Sequence, residues 1–581
     1  MSYTAPVDGL VHALKHIVGF HGAVEAGRFG DLDTETVEAV LEEAGKFAAD
    51  RLAPLNAVGD RNGSRRNDDG TVTTPKGFAE AYRDWCEAGW NGLSAPVDFG
   101  GQGLPLTLAS AVNEIWTAAN MAFHLCPLLG QGAIEALATH ASAELRDAYL
   151  EKVVSGEWTA TMNLTEPQAG SDLAALRSRA EPAGDGTYRI FGQKIFITYG
   201  EHDMTENICH LVLARLPDAP AGTRGISLFL VPKILPDGSR NDLVCSGVEH
   251  KLGIHASPTC TMVFGDQGGA VGYIIGEENR GLACMFTMMN SARLAVGVQG
   301  AGIAERATQA ALAYAHERRQ GKALVATGEG MAPIVAHPDI RRTLMTMRAA
   351  SEAARAICLT CAFHLDLAHA GGDDAARHGE LGALWTPVAK AFAPDLGVEV
   401  ASMGIQVHGG MGFIEETGAA QYLRDARIAP IYEGTNGIQA IDLVTRKLPL
   451  SGGTTVSAAI EDFRKIAVAV SEKNAAEFGA TGDELERAVT ALQEVTKHLL
   501  ESGANDPAAL LGAATPYLRL FGLTAGAALL ARGALSAGTL EATVSARVFA
   551  EHWLTGAEGI ARTILRGTAV IGADLADLRI A

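Results

Sequence analysis

One carboxylate stands in a string that otherwise reads as a turn, Tyr432-Glu433-Gly434-Thr435-Asn436-Gly437. Asn and Gly are turn and helix-start residues. Ile438, Ile441, Leu443, Val444 and Leu448 then recur at roughly helical spacing. Glu433 therefore has two readings. It stabilises a helix dipole from just outside the N-terminus, or it is a base held against a ligand, with Gly434 leaving room beside it.

Four other stretches carry residue types suited to a flat, polar-edged or phosphate-bearing ligand. In "TMNLTEPQAGSD" a short strand ends near Leu164 and a loop of small and hydroxyl residues follows. Gly170 permits close backbone approach there, and Thr165 and Ser171 supply hydroxyls; an ordinary connection capped by Asp172 is the alternative. In "QKIFITYG", Phe196 and Thr198 are two apart in a strand and so face one side, where they would stack on and bond a ring or simply pack across strands. Arg318 and Arg319 in "AYAHERRQGKAL" suit either a helix C-terminus or phosphate oxygens. In "QVHGGMGF", Gln406, Gly409, Gly410 and Gly412 form either a plain turn or a backbone cradle for an anion.

Several tempting signals carry less. "GVQGAGIAERA" lacks a preceding strand and the third dinucleotide-type glycine, so it reads as helix packing. His250 and His255 have no companion ligand at metal-binding spacing, and no metal is expected. Cys358 and Cys361 lie in a helical pattern without a βαβ context, which favours packing over redox work.

These residues need elements to hold them. Residues 1–30 read as an N-terminal extension and 31–158 as a helical domain. Short β-rich runs separated by Gly, Pro, Asp and Asn predict an antiparallel β domain over 159–277. Long helices return over 278–449, and "PLSGGTTVS" reads as a linker. Beyond it, Leu485, Val489, Leu492, Val495 and Leu499 define one apolar helix face, predicting a separate helical domain over 450–581.

The chain's 581 residues suggest three or four domains. Its formal charge of −20 argues against non-specific binding to nucleic acid or anionic membranes. Eight scattered Cys, no leader pattern and no uninterrupted apolar span of bilayer length predict a cytoplasmic protein.

Taken in order, "LTEPQAGSD", "KIFITYG", "KLGIHASPT", "ERRQGK", "QVHGGMGF", "LRDARI" and "IYEGTNGIQ" resemble the acyl-CoA dehydrogenase family over about 31–449. The resemblance implies FAD, a helical N-terminal domain, a middle β-barrel and a four-helix bundle. The extra C-terminal helical domain is similar to that of the family's long bacterial branch. Position by position, the family's base falls on Glu433, and its flavin-ring contacts fall on Met162, Leu164, Thr165, Phe196 and Thr198. Gly170 and Ser171 match positions lining the flavin and the CoA thioester arm. Arg318, Gln406, Gly409 and Gly410 match positions that hold the FAD pyrophosphate of the neighbouring subunit. Thr435 matches an adenosine-side contact and Arg293 a CoA-side one.

The implied reaction is α,β-dehydrogenation of an acyl-CoA to the 2-enoyl-CoA. Glu433 takes the α-proton, assisted by its own N–H and Gly434 beside it. A short or 3-(methylthio)propanoyl group is the implied acyl part, with Trp116, Met121 and Phe123 on a helix that would close a chain tunnel. Electron-transferring flavoprotein is the implied acceptor and a homodimer the implied assembly. An acyl-CoA oxidase uses the same base. A nucleic-acid-binding relative on the same fold is opposed by the negative charge.

Overall fold

The computed structural model describes residues 3–323, 330–503, 505–567 and 571. The end of the 450–581 region, apart from residue 571, thus lies outside the described residues past 567. Two compact units emerge. One comprises Lys46–Pro105 and Ala119–Ala295, the other Met1–Gly45, Leu106–Ala118 and Val296–Ala581.

The first unit is built on strands. A small hairpin pairs β1 (Arg65–Arg66) with β2 (Val72–Thr73). The main sheet is eight-stranded: β3 (Thr159–Asn163), β4 (Arg179–Pro182), β5 (Tyr188–Thr198), β6 (Ile208–Ala214), β7 (Ser227–Pro232), β8 (Leu243–Val248), β9 (Thr259–Phe264) and β10 (Ala270–Ile275). Its order is β3-β6-β7-β10-β5-β9-β8, with β4 against β5. The expected antiparallel arrangement holds for the strand pairs except β3 with β6, which are parallel, and Arg179 of β4 makes a further isolated parallel bridge to Arg215. Two strands, β4 and β5, intervene before β6, and the chain re-enters beside β3 running the same way.

Every residue of β6 and β7 is buried. Leu211, Leu213, Leu228 and Leu230 face a core with Leu137, Leu150, Met285 and Met288. The alternate residues Val212, Ala214, Phe229 and Val231 join a second core with Ile190, Ile197, Met262 and Phe264. Both faces are covered, which is why these runs read as continuously apolar.

Helices make the second unit. Pro338–His369 packs along Ala375–His408. The Gly281–Glu317 helix runs unbroken through Gly297 and Gly300. Both are packing contacts, in line with the helix-packing reading of "GVQGAGIAERA". A Cβ on Gly297 would lie 2.6 Å from the Ala389 carbonyl oxygen, and one on Gly300 would lie 2.4 Å from the Ala393 carbonyl carbon. Only glycine lets the two backbones approach so closely. Leu485, Val489, Leu492, Val495 and Leu499 are all buried, as the C-terminal periodicity predicts.

The expected N-terminal extension is folded. Val7–Val18 is helical and packs on the Pro507–Ala537 and Pro338–His369 helices. Tyr3 is buried and donates to the Ile115 carbonyl at 3.1 Å. By length and composition alone, Gly281–Glu317 and Pro507–Ala537 are each apolar enough to cross a bilayer, although polar residues such as Gln299 and Arg519 interrupt both, so neither is the uninterrupted apolar span that the sequence reading looked for. Their most apolar windows are 59% and 78% buried, so that apolarity serves packing.

Candidate active site

In the sheet unit the predicted residues gather around the end of β3. Met162 is buried on that strand, Leu164 and Thr165 are half-buried beyond it, and Gly170 and Ser171 are exposed. The Ile195 N–H donates to the Thr165 carbonyl at 2.9 Å, tying this loop to the residue before Phe196. Phe196 is not on a regular strand face, as its spacing from Thr198 suggests. The β5–β9 register shifts between Lys194 and Ile197, and Phe196 sits in that bulge at φ +61°. The bulge breaks the strand alternation and leaves the ring 58% exposed. A bulky residue at positive φ costs of order 1–3 kcal/mol and persists only where its surroundings enforce it. Thr198 is half-buried at the end of β5.

Beside this bulge lies a buried ion pair that sequence reasoning passed over. Lys194, two residues before Phe196, is fully buried. Its Nζ donates to Glu166 Oε1 at 2.9 Å and to the Leu164 carbonyl at 3.1 Å. Glu166 also accepts from the Arg177 and Ser178 N–H groups at 2.8 and 3.0 Å. Burial alone would raise this carboxyl; the Lys194 charge and the converging donors outweigh it and hold the group down at about 2. Burial in turn pulls the ammonium down to about 8 against the pull of Glu166. The only sequence signal was a Lys ahead of the apolar run Ile195-Phe196-Ile197, with a Glu in the loop after β3.

Asp172 caps the short Leu173–Ala175 helix through the Ala174 N–H at 2.9 Å, so part of this loop is ordinary connection. A Cβ on Gly170 would meet no protein atom within 4 Å, which leaves that backbone open to a ligand. Arg293 is buried, with its guanidinium carbon 5.9 Å from the Phe286 ring. Phe123 packs among Phe78, Tyr82 and Trp85, so its ring is spent on the core rather than on a chain tunnel. His255 bonds Asp60 and the Lys251 carbonyl, as a satisfied structural histidine does. Among the described residues no cluster of three metal-ligating side chains occurs.

In the helical unit Glu433 is half-buried at φ +55°, followed by Gly434 at φ +84°. Thr435, not Glu433, caps the Asn436–Asp442 helix, accepting from the Ile438 N–H at 3.3 Å. That weakens the helix-dipole reading of the carboxylate. The loop closes on itself through Asn436 N–H to the Pro430 carbonyl, 2.9 Å. The φ of +84° at Gly434 favours glycine, and a Cβ there would also push against Gln439 Nε2 at 2.7 Å.

Two helices hold this loop. From Gly281–Glu317, Gln299 Oε1 accepts from the Tyr432 hydroxyl. Burial, with the Glu433 charge nearby, pushes that phenol up and keeps it a neutral donor. From Ala375–His408, the fully buried Lys390 donates to the Ala429 carbonyl at 3.0 Å and to Asn436 Oδ1 at 3.1 Å. Gln299 Nε2 and Gln439 Oε1, beside the same loop, are buried without a hydrogen-bond partner. None of Gln299, Lys390 or Gln439 was singled out from sequence.

Arg318, Gln406, Gly409 and Gly410 come together at one end of this unit. The Tyr314 and His408 rings stack 4.4 Å apart, which brings the ends of their two helices side by side. All four residues are exposed, and a Cβ on Gly409 or Gly410 would meet nothing within 4 Å. A cation beside open backbone suits an anion.

Comparison with known proteins agrees with this layout. Residues 34–157, 161–267 and 279–448 match the acyl-CoA dehydrogenase N-terminal, middle and C-terminal domains. Residues 456–573 match a domain described as acetyl-CoA dehydrogenase C-terminal like. The chain is 45% identical over 532 residues to 3-methylmercaptopropionyl-CoA dehydrogenase of Ruegeria pomeroyi, covering 90% of this chain and 89% of that one. It is 37% identical over 447 residues to a butyryl-CoA dehydrogenase of Syntrophomonas wolfei, covering 74% and 73%. The fold is similar to that of Caenorhabditis elegans ACDH-11, solved with C11-CoA, at TM-score 0.78 and 20% identity over 97% and 95% of the two chains. The chain is an enzyme of the acyl-CoA dehydrogenase family, with that family's helical and sheet domains and a further C-terminal helical region.

Proposed function

We propose that the chain removes two hydrogens across the α,β bond of a short acyl-CoA thioester, with Glu433 as the base and FAD as cofactor. The observation that carries this reading is the Glu433 loop: a half-buried carboxylate at positive φ, held by side chains of two helices. An α C–H beside a thioester is far less acidic than a carboxylic acid, so the site must stabilise enolate charge as it forms. The Glu433 N–H is assigned to the thioester oxygen, where one aimed donor contributes roughly 3–4 kcal/mol. Glu433 then takes the α-proton on its carboxylate.

The residues present fit FAD. Phe196 offers an exposed aromatic face and Thr165, Ser171 and Thr198 offer hydroxyls. Met162, Leu164 and Gly170 line the same loop. Arg318, Gln406, Gly409 and Gly410 are assigned to the pyrophosphate of a neighbouring copy's cofactor, Thr435 to the adenosine side and Arg293 to CoA. When bound, FAD supplies the electron-pair acceptor for the hydrogen that leaves the β-carbon. The 3-methylmercaptopropionyl-CoA relative supports a short thioether acyl group. A cytoplasmic homodimer that passes electrons to electron-transferring flavoprotein completes the reading, on the family resemblance.

Glu433→Gln tests it. The variant should keep FAD, while bleaching of the flavin by acyl-CoA collapses. Normal bleaching would remove Glu433 from the chemistry. A panel of butyryl-, 3-methylmercaptopropionyl- and long-chain-CoA with an artificial acceptor ranks the substrates by kcat/KM.

A further inference from the structure

A base on a loop must be held as firmly as one on a helix if it is to meet a C–H at the right angle. The Glu433 loop has two consecutive residues at positive φ, and the backbone closes it only through the Asn436 N–H to the Pro430 carbonyl and two bonds to the Ile428 carbonyl ahead of Glu433, so side chains must hold the rest. One buried ammonium grips it at both ends. Lys390 Nζ donates to the carbonyl of Ala429, four residues before Glu433, and to the side chain of Asn436, three residues after it. Asn436 is in turn fixed from its other side: its Nδ2 donates to Asp395 Oδ1 at 2.8 Å and to the Ala391 carbonyl at 3.0 Å. These contacts allow one amide orientation only. Oδ1 faces an ammonium, which can only donate, and Nδ2 faces two acceptors. Lys390 has a stiff root as well, since the neighbouring Ala389 carbonyl is packed against Gly297.

We propose that Lys390, acting through Ala429 and Asn436, is the positioning residue that sets the catalytic geometry of Glu433. This rests on the assignment of Glu433 as the base. In this role Lys390, fully buried, acts through the loop and not at the reacting atoms. It clamps the two ends of the loop so that the carboxylate and its N–H keep a fixed spacing and direction. Asn436 is the second half of the clamp, transmitting the position of the Ala375–His408 helix to the start of the following helix.

The test uses FAD-loaded Lys390→Met, which keeps the volume of the buried site and removes only the ammonium. We expect kcat to fall by about 10- to 100-fold while KM for butyryl-CoA changes by less than about threefold and FAD content is unchanged. Adding Lys390→Met to Glu433→Gln should slow flavin bleaching no further than Glu433→Gln alone. Asn436→Ala, which suits a first helical turn, serves if the Met variant does not fold and should lose at least about fivefold in kcat. Folded variants with kcat within about twofold of wild type, or a double variant slowed by the full Lys390 factor, would overturn the proposal. The two readings fail separately. Normal bleaching in Glu433→Gln ends the base assignment, and with it this role for Lys390. An inactive Glu433→Gln beside a fully active Lys390→Met ends the clamp alone.

Discussion

Lys194 and Lys390 are both fully buried, and each donates to a backbone carbonyl in a loop that carries a candidate site residue. Beyond that they differ. Lys194 meets a carboxylate directly, Glu166 at 2.9 Å, under the Phe196 bulge. Lys390 meets neutral oxygens, and the carboxylate of Asp395 stands one amide further on. Burial pushes the Asp395 carboxyl up, whereas Glu166 is held low by its direct partner and its donors. The contrast teaches that a strained loop can be held by a paired charge, with large stakes if the pair is broken, or by a relay of dipoles that spreads the load. The first suits a platform that must stay rigid. The second ties down both ends of a loop whose own carboxylate must work, with no carboxylate among the lysine's hydrogen-bond acceptors given above.

Breaking each lysine measures that difference. Lys194→Met leaves Glu166 buried without its partner and should destabilise the protein by about 3–5 kcal/mol. Lys390→Met strands the Ala429 carbonyl and Asn436 Oδ1 and takes a positive charge from near Asp395, and should cost about 1–3 kcal/mol. Denaturant unfolding of the two variants gives the ranking directly, and equal losses would erase the distinction.

Acid sharpens it next. Glu166 sits below its ordinary 4.5, at about 2, so its contribution is present above 4.5 and is lost as pH falls from about 4.5 towards 2. Stability followed down this range should drop by on the order of 2 kcal/mol more in wild type than in Glu166→Gln. The smallest effect concerns the strained ring. Phe196→Gly should raise thermal stability by about 1 kcal/mol, because glycine accepts φ +61° without strain and the ring is mostly exposed. FAD retention should weaken in the same variant. A stable variant with unchanged flavin affinity would show that the exposed face has no ligand role.

The helices and strands were legible because burial imposes period. Leu485 to Leu499 repeats with the helical turn, and β6 and β7 are apolar throughout because both their faces are covered. Glu433 and Gly434 were legible as a turn because their neighbours are turn residues. The clamp beneath them was not. Lys390 lies in "PVAKAFAPD", where a single lysine on a helix reads as a solvated side chain, and only the packing shows it to be fully buried. The Phe196 bulge was hidden for a different reason: Ile195-Phe196-Ile197 reads as an ordinary apolar strand run, and the slip is visible only against β9. The N-terminal segment looked like an appendage because its partners lie hundreds of residues away.

That last feature bears on biosynthesis. His16 hydrogen-bonds Ser536 across a separation of 520 residues, at 3.0 Å. At roughly 5–20 residues per second, translation puts about half a minute to two minutes between the two. The first helix must therefore leave the ribosome and wait with its apolar side uncovered, since Leu10, Leu14 and Ile17 end up buried. This helical unit can close only after the Pro507–Ala537 helix has been made, so residues 7–18 find their places long after their own synthesis.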